Sequence, residues 1–245
     1  MKLLLAVGLA LAGLSASFAQ GAVINANAAD ATVSYNKNTD PIPNTTHIES
    51  TTDFAGRVGE YYYPGSIVYV VPFQLPTLTP GNGFTDVNLR MQLYAKNGTP
   101  SNVDLYGIRV SASPTVLLSD YYMGSNDTSA TIIQEDFINP STPLRANADT
   151  GPFLNTDATG DAALAAYLNT AYAGGANAGM YVFLRLNPLS VSAGDNHYTV
   201  LTQDAGGEFE KPIITYTSAV VPEPASVGLL GIGLSSLLLR RRARR

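Results

Sequence analysis

From residue 67 to residue 217, apolar side chains return again and again at every second position, and this period limits the fold more than any other feature of the chain. Val87, Leu89, Met91 and Leu93 fall on one side of an extended backbone, while Asn88, Arg90, Gln92 and Tyr94 fall on the other. A helix repeats about every 3.6 residues and a strand every second one, so such a run buries one face only as a strand. The same alternation marks residues 67–75, 103–110, 179–187, 198–202 and 213–217. Turn signals separate them at 76–83, Asn97-Gly98, 192–196 and Gly206-Gly207. Many strands punctuated by Gly, Pro and Asn predict an all-β fold, an antiparallel β-sandwich or jelly roll. Pro72 has no N–H to give a ladder, so its strand is expected at an edge or with a bulge. Residues 36–56 read as a long polar loop. One short helix is expected from Asp161 to about Tyr172. Leu164, Leu168 and Tyr172 recur there on one face, Asp161 suits the positive N-terminal end, and Gly174-Gly175 can stop the helix.

The two ends follow different rules. Lys2 precedes the uncharged apolar run 3–14, and Ser17-Phe18-Ala19 supplies a small-x-small exit. These are the parts of a cleavable signal peptide, residues 1–19, cut by signal peptidase after Ala19. As a helix the run spans only about 18 Å, too short for a bilayer core of about 30 Å. At the other end, uncharged residues 225–239 precede Arg240, Arg241, Arg242, Arg244 and Arg245. This stretch is expected to be a transmembrane helix of about 22 Å, which spans if the bilayer thins or the arginines snorkel. The arginines orient that end toward the cytoplasm and leave residues 20–220, the expected ectodomain, outside.

Pro222-Glu223-Pro224, the short apolar helix and the Arg cluster, in that order over residues 221–245, resemble the PEP-CTERM sorting signal of exopolysaccharide-producing bacteria. The resemblance implies recognition by exosortase, a membrane-embedded protease that removes the tail. The middle of the chain is similar to disaggregatase-related carbohydrate-binding jelly rolls over about residues 28–218. The likeness is carried by Ala31-Thr32-Val33, the strand pair 68–75 and 87–93, Asp157-Ala158-Thr159 before the helix, Val182-Phe183-Leu184-Arg185, and Lys211-Pro212-Ile213-Ile214-Thr215-Tyr216. It implies polysaccharide binding. The chain departs from that family in having no Trp, and Asp204 to Glu210 stands where a Ser-Arg-Glu phrase is usual.

Composition narrows the chemistry. With no cysteine the chain forms no disulfide, thiolate nucleophile or Cys-ligated metal site. Residues 20–221 hold eight basic and eighteen acidic residues, a net charge of −10 hidden by the basic ends. Nucleic acid is therefore excluded as an expected partner, because phosphate contacts need clustered Lys and Arg.

No familiar catalytic constellation emerges. His47 is expected in a polar loop and His197 at a strand start, both solvated, and the chain has neither a Gly-x-Ser-x-Gly elbow nor a His-Glu-x-x-His helix. Paired acids for glycoside hydrolysis could come from Glu135-Asp136 or Glu208 and Glu210. Adjacent strand residues point to opposite faces, and the second pair sits in an expected loop. Asn155, Asp157 and Asp161 place oxygen ligands around Gly160 like the first half of a calcium loop, but Ala166 stands where a bidentate Glu is required. The preferred alternative is that Asp157 or Thr159 caps the helix; calcium completed by a distant acid stays open. Among fourteen tyrosines, Tyr61, Tyr63, Tyr121 and Tyr122 lie in clusters beside turns and are candidate glycan contacts, since a phenol offers an apolar face and a hydroxyl. The expectation is a non-catalytic exported envelope or extracellular-matrix protein without a required cofactor, with extracellular polysaccharide as candidate ligand. A polysaccharide hydrolase and a purely structural matrix protein are the alternatives.

Overall fold

A computed structural model describes residues 21–36, 45–50, 55–60, 65–122, 129–145, 151–190, 194–206 and 211–220. The signal segment, the tail, Tyr61 to Tyr63, Glu208 and Glu210 lie outside them. The strands are β1 (Ala22–Asn25), β2 (Ala31–Asn36), β3 (Thr45–Ser50), β4 (Ala55–Glu60), β5 (Gly65–Gln74), β6 (Asn82–Met91), β7 (Leu93–Asn97), β8 (Val103–Ser111), β9 (Thr131–Ile138) and β10 (Leu154–Asn155). After helix α1 (Ala158–Tyr172) come β11 (Tyr181–Pro188), β12 (Asn196–Leu201) and β13 (Ile213–Val220). All pairings among them are antiparallel. One sheet has the order β1-β13-β6-β10. The other runs β7-β12-β4-β5-β11-β8-β9, with β2 on β5 and β3 on β2.

Both sheets and the helix feed one core. Phe84, Val87, Leu89 and Met91 of β6 meet Tyr69, Val71 and Phe73 of β5, Val182 and Leu184 of β11, and Leu164 and Leu168 of α1. Val87, Leu89, Met91 and Leu93 are all buried, with Asn88 and Arg90 half-buried between them, but the run is two strands and not one. At Gln92, fully buried, the chain leaves the smaller sheet for the larger, and the Gln92 carbonyl accepts from Leu201 N at 3.0 Å. Alternation survives the corner because the same face stays inward.

A second cluster of Ala31, Val33, Val68, Val70, Val116 and Phe183 lies on the other face of the larger sheet. Segment 112–122 lies over it, pinned by Asp120. The Asp120 carboxylate takes two bonds from Arg109, at 2.6 and 2.7 Å, and one from Leu117 N at 2.8 Å. Its carbonyl accepts from Arg185 Nη1 at 3.0 Å. A bidentate arginine–carboxylate pair holds orientation as well as charge.

Three local expectations need correction. Residues 36–56 are not one loop, since β3 pairs with β2 from Ala31↔Ser50 to Asn36↔Thr45, and β4 pairs with β12. His47 is therefore on a strand. Pro72 is on neither an edge strand nor a bulge. It faces Phe183 of β11 without a register shift, and its carbonyl points the other way to accept from Asn27 N at 2.8 Å. In an antiparallel ladder the N and C=O of one residue face the same side, so the missing donor points where β2 no longer pairs. The helix begins at Ala158, three residues before Asp161, because Asp157 caps it by accepting from Gly160 N at 2.8 Å. Its C-cap, Ala173, is left-handed at φ 49°, and Leu164, Leu168, Ala171 and Tyr172 form the buried face.

The helix also finishes an incomplete sheet edge. β10 pairs with β6 only at Met91 and Arg90. Beyond it, Leu89 exchanges bonds with Thr156, and Phe84 exchanges bonds with the Asn169 amide, which accepts from N at 2.8 Å and donates to O at 3.0 Å. Side chains on and before α1 thus stand in for a missing strand partner and cover the edge.

Candidate functional site

Beside β8 the same helix leaves a groove. The pairing of β8 with β9 ends at Gly107↔Thr131, so residues 108–111 border α1. The resulting cleft of about 460 Å³ is walled by Ala163, Ala166 and Ala171 and edged by Ser129, Thr131 and Thr170. Tyr167 lies across its floor on Gly107, where a Cβ would stand 2.5 Å from the ring. Its hydroxyl donates to Arg109 O at 3.1 Å, and burial pushes it far above the ordinary tyrosine range. Arg109 turns away from the groove, its guanidinium 3.5 Å from the Phe183 ring centroid and bonded to Asp120. Among the described residues lining this groove there is no carboxylate.

Sequence reasoning did not single out this groove. Gly107 inside an alternating strand was its one visible signal, because such a glycine marks a close approach.

The expected tyrosine cluster is only partly within view. Tyr121 is half-buried, stacks on Tyr35 at 5.7 Å between centroids, and shares a hydrogen bond with the Ser66 hydroxyl. Burial raises its pKa above the usual value. Tyr122, also half-buried, has the Arg185 guanidinium 5.4 Å from its ring centroid. Both rings thus help hold segment 112–122 on the sheet, and their faces are already in contact with protein. Tyr61 and Tyr63 lie outside the described residues.

The oxygen-rich turn before α1 is occupied by its own backbone. Asp157 caps the helix, and Asp161 accepts from Asn88 Nδ2 at 3.0 Å and from the Thr156 hydroxyl. Asn155 is exposed and bonds weakly to Phe153 O at 3.4 Å. No cluster of three or more His, Cys, Asp or Glu suited to a metal occurs among the described residues.

The acids and histidines separate in the same way. Asp136, at φ 52°, breaks the alternation of β9, so Glu135 and Asp136 are both exposed where opposite faces were expected. Asp136 N donates to buried Asp104, whose carboxyl is pushed upward by burial. His197 is not solvated as expected. It is 7% exposed, its Nδ1 lies 2.9 Å from Asp195 Oδ1, and burial holds its pKa below 6.5.

At one end of the smaller sheet both chain termini depart. β13 runs out at Val220, 74% exposed and paired with Asn82, and β1 begins at Ala22 opposite Tyr216. No helix among the described residues is long and apolar enough to cross a membrane. The expected cleavage at Ala19, Pro222, Glu223, Pro224, the helix 225–239 and the five arginines lie beyond those residues.

Residues 220–243 match the family model of the PEP-CTERM protein-sorting motif, beginning at the last residue of β13. PEP-CTERM motifs are sorting signals recognised by exosortase, a membrane protein, and the match marks an exported protein processed at the membrane. No curated protein matches the chain.

Proposed function

We propose that this is an exported precursor in which the β-rich body is delivered to the envelope or extracellular matrix and the C-terminal segment is a disposable sorting anchor. The observation that carries the reading is the match over 220–243, attached directly to the exposed end of β13. Signal peptidase acts first, after Ala19, and the helix 225–239 then stops transfer with the arginines inside. Pro222 and Pro224 disfavour helix and keep the segment before the bilayer extended, the form a protease binds as an added strand. An exosortase-like protease then removes the tail.

In this reading the body is a non-catalytic sandwich of jelly-roll type, supported by two sheets that share one core. A neutral polysaccharide is the ligand class favoured for the groove, whose small apolar walls and hydroxyl rim suit CH faces and sugar hydroxyls. Hydrolysis is disfavoured because it needs two acids flanking the bond, and those lining residues supply none. No cofactor is assigned, since Asp157 serves as the helix cap.

The test replaces Pro222, Glu223 and Pro224 by alanine in a host carrying the sorting protease. The variant should stay membrane-bound with its tail intact, while deletion of 221–245 should release the body. Identical trimming of variant and wild type would reduce the motif to a linker.

A further inference from the structure

The end from which both termini leave is built from segments without a single charge. Backbone bonds tie Leu75 to Met180 and Gly179, at 2.8 and 2.9 Å, and Leu78 N donates to the Tyr172 hydroxyl at 2.9 Å. Tyr172 packs edge-on against Phe84, and Phe84 against Tyr216, with centroids 5.5 and 5.1 Å apart. Tyr181 pairs with Ser111, Asn82 with Val220, and Ala22 with Tyr216. The last turn of α1, the connections after β5, β8 and α1, and both exits therefore meet at one pole.

In sequence these elements lie within stretches 20–29, 61–85, 110–119, 162–184 and 212–222, none of which contains Asp, Glu, Lys, Arg or His. Of the charges that flank these stretches, Glu223 follows in the linker to the apolar run, and three others are held by bonds on the body. Arg109 and Asp120 bond each other, and exposed Asp86 accepts from the Thr217 hydroxyl at 2.8 Å. The net charge of −10 carried by residues 20–221 thus resides elsewhere on the body.

We infer that this neutral pole is the membrane-facing surface of the anchored precursor, resting on the lipid headgroups around the tail. The inference depends on the anchoring proposed above. Only four residues, 221–224, separate Val220 from the apolar run, at most about 14 Å of extended chain. That length is comparable to the Debye length of about 8–10 Å, so the body's charge cannot be screened from an anionic leaflet if it faces the lipid. A pole of Thr, Ser, Asn, Gly and Ala gives no repulsion and can bond to headgroups. If cleavage follows Ala19, the new α-amino group, two residues before β1, offsets the single negative charge of Glu223 in the linker.

The absence of cysteine allows single-site labelling. Residues 20–245 carrying Thr79→Cys at the pole, or Thr99→Cys at the far end of β7–β12, are labelled with a fluorophore. They are placed in protease-free vesicles of phosphatidylethanolamine and phosphatidylglycerol, floated, and quenched by aqueous iodide or by a headgroup-attached nitroxide. The Thr79 site should be several-fold less accessible to iodide than the Thr99 site and quenched by the nitroxide. Adding Thr77→Glu and Ala176→Glu should lift that protection at low ionic strength, with recovery in salt. Equal iodide access at both sites overturns the inference while leaving the anchor intact, as does protection that requires added sorting protease, which would assign the pole to a protein. Failure to float removes the anchoring reading, and this inference with it.

Discussion

Gly107 is the residue on which the groove depends. A methyl group there would stand 2.5 Å from the Tyr167 ring, and the ring is fixed by its bond to Arg109 O. Gly107→Ala should therefore cost about 1–3 kcal/mol, the range for overpacking a fitted contact. The cost should shrink in a Tyr167→Ala background, because the two changes share one contact. Urea unfolding of the four variants measures this, and strict additivity would show that the ring moves freely. His197 sets a second residue-level expectation, in pH. Burial lowers its pKa from 6.5, so the unfolded chain takes up the proton first as pH falls. Its contribution is intact above about pH 6.5 and is lost as pH drops below that value. Thermal melts should show His197→Gln losing less stability than wild type between about pH 7 and 5. Parallel curves would mean that folding leaves the His197 pKa unshifted.

At the scale of elements, α1 does the work of a missing strand, and Asp157 starts it. Asp157→Ala should cost about 1 kcal/mol by leaving Gly160 N–H without its cap. If the turn instead works through calcium, added calcium should raise the melting temperature of the wild type and not of the variant. Which elements were legible from sequence follows from what wrote them. β5 and β11 read as strands through long apolar runs buried on both faces, between the main core and the second cluster. β6 and β13 read through alternation against the main core alone. β3 is Thr-Thr-His-Ile-Glu-Ser, whose period is masked by polar residues, so its pairing to β2 left no apolar trace. β10 is two residues long and below any period. The corner at Gln92 was invisible because burial continues through it, and Asp136 was misread because a positive φ reverses the expected face. His197 was taken as solvated because a strand-end histidine carries no sign of what folds over it. The groove was hidden for a related reason: it arises where β9 stops beside a helix, a relation between elements distant in sequence.

At the scale of the molecule, charge and address are segregated. The acidic body and the neutral pole meet the two ends of the chain at one side, while the core is closed by its own sheets and helix. Residues 20–220 should consequently fold alone and reversibly, with a β-dominated far-ultraviolet spectrum and a minor helical part. A mainly helical or disordered spectrum would contradict the fold. The central claim is that the tail is temporary, and the intact mass of the mature protein, purified from a host with the sorting protease, tests it most directly. The account predicts a chain beginning at Gln20 and lacking the apolar run and arginines of 225–245. A mass that retains those residues would contradict it.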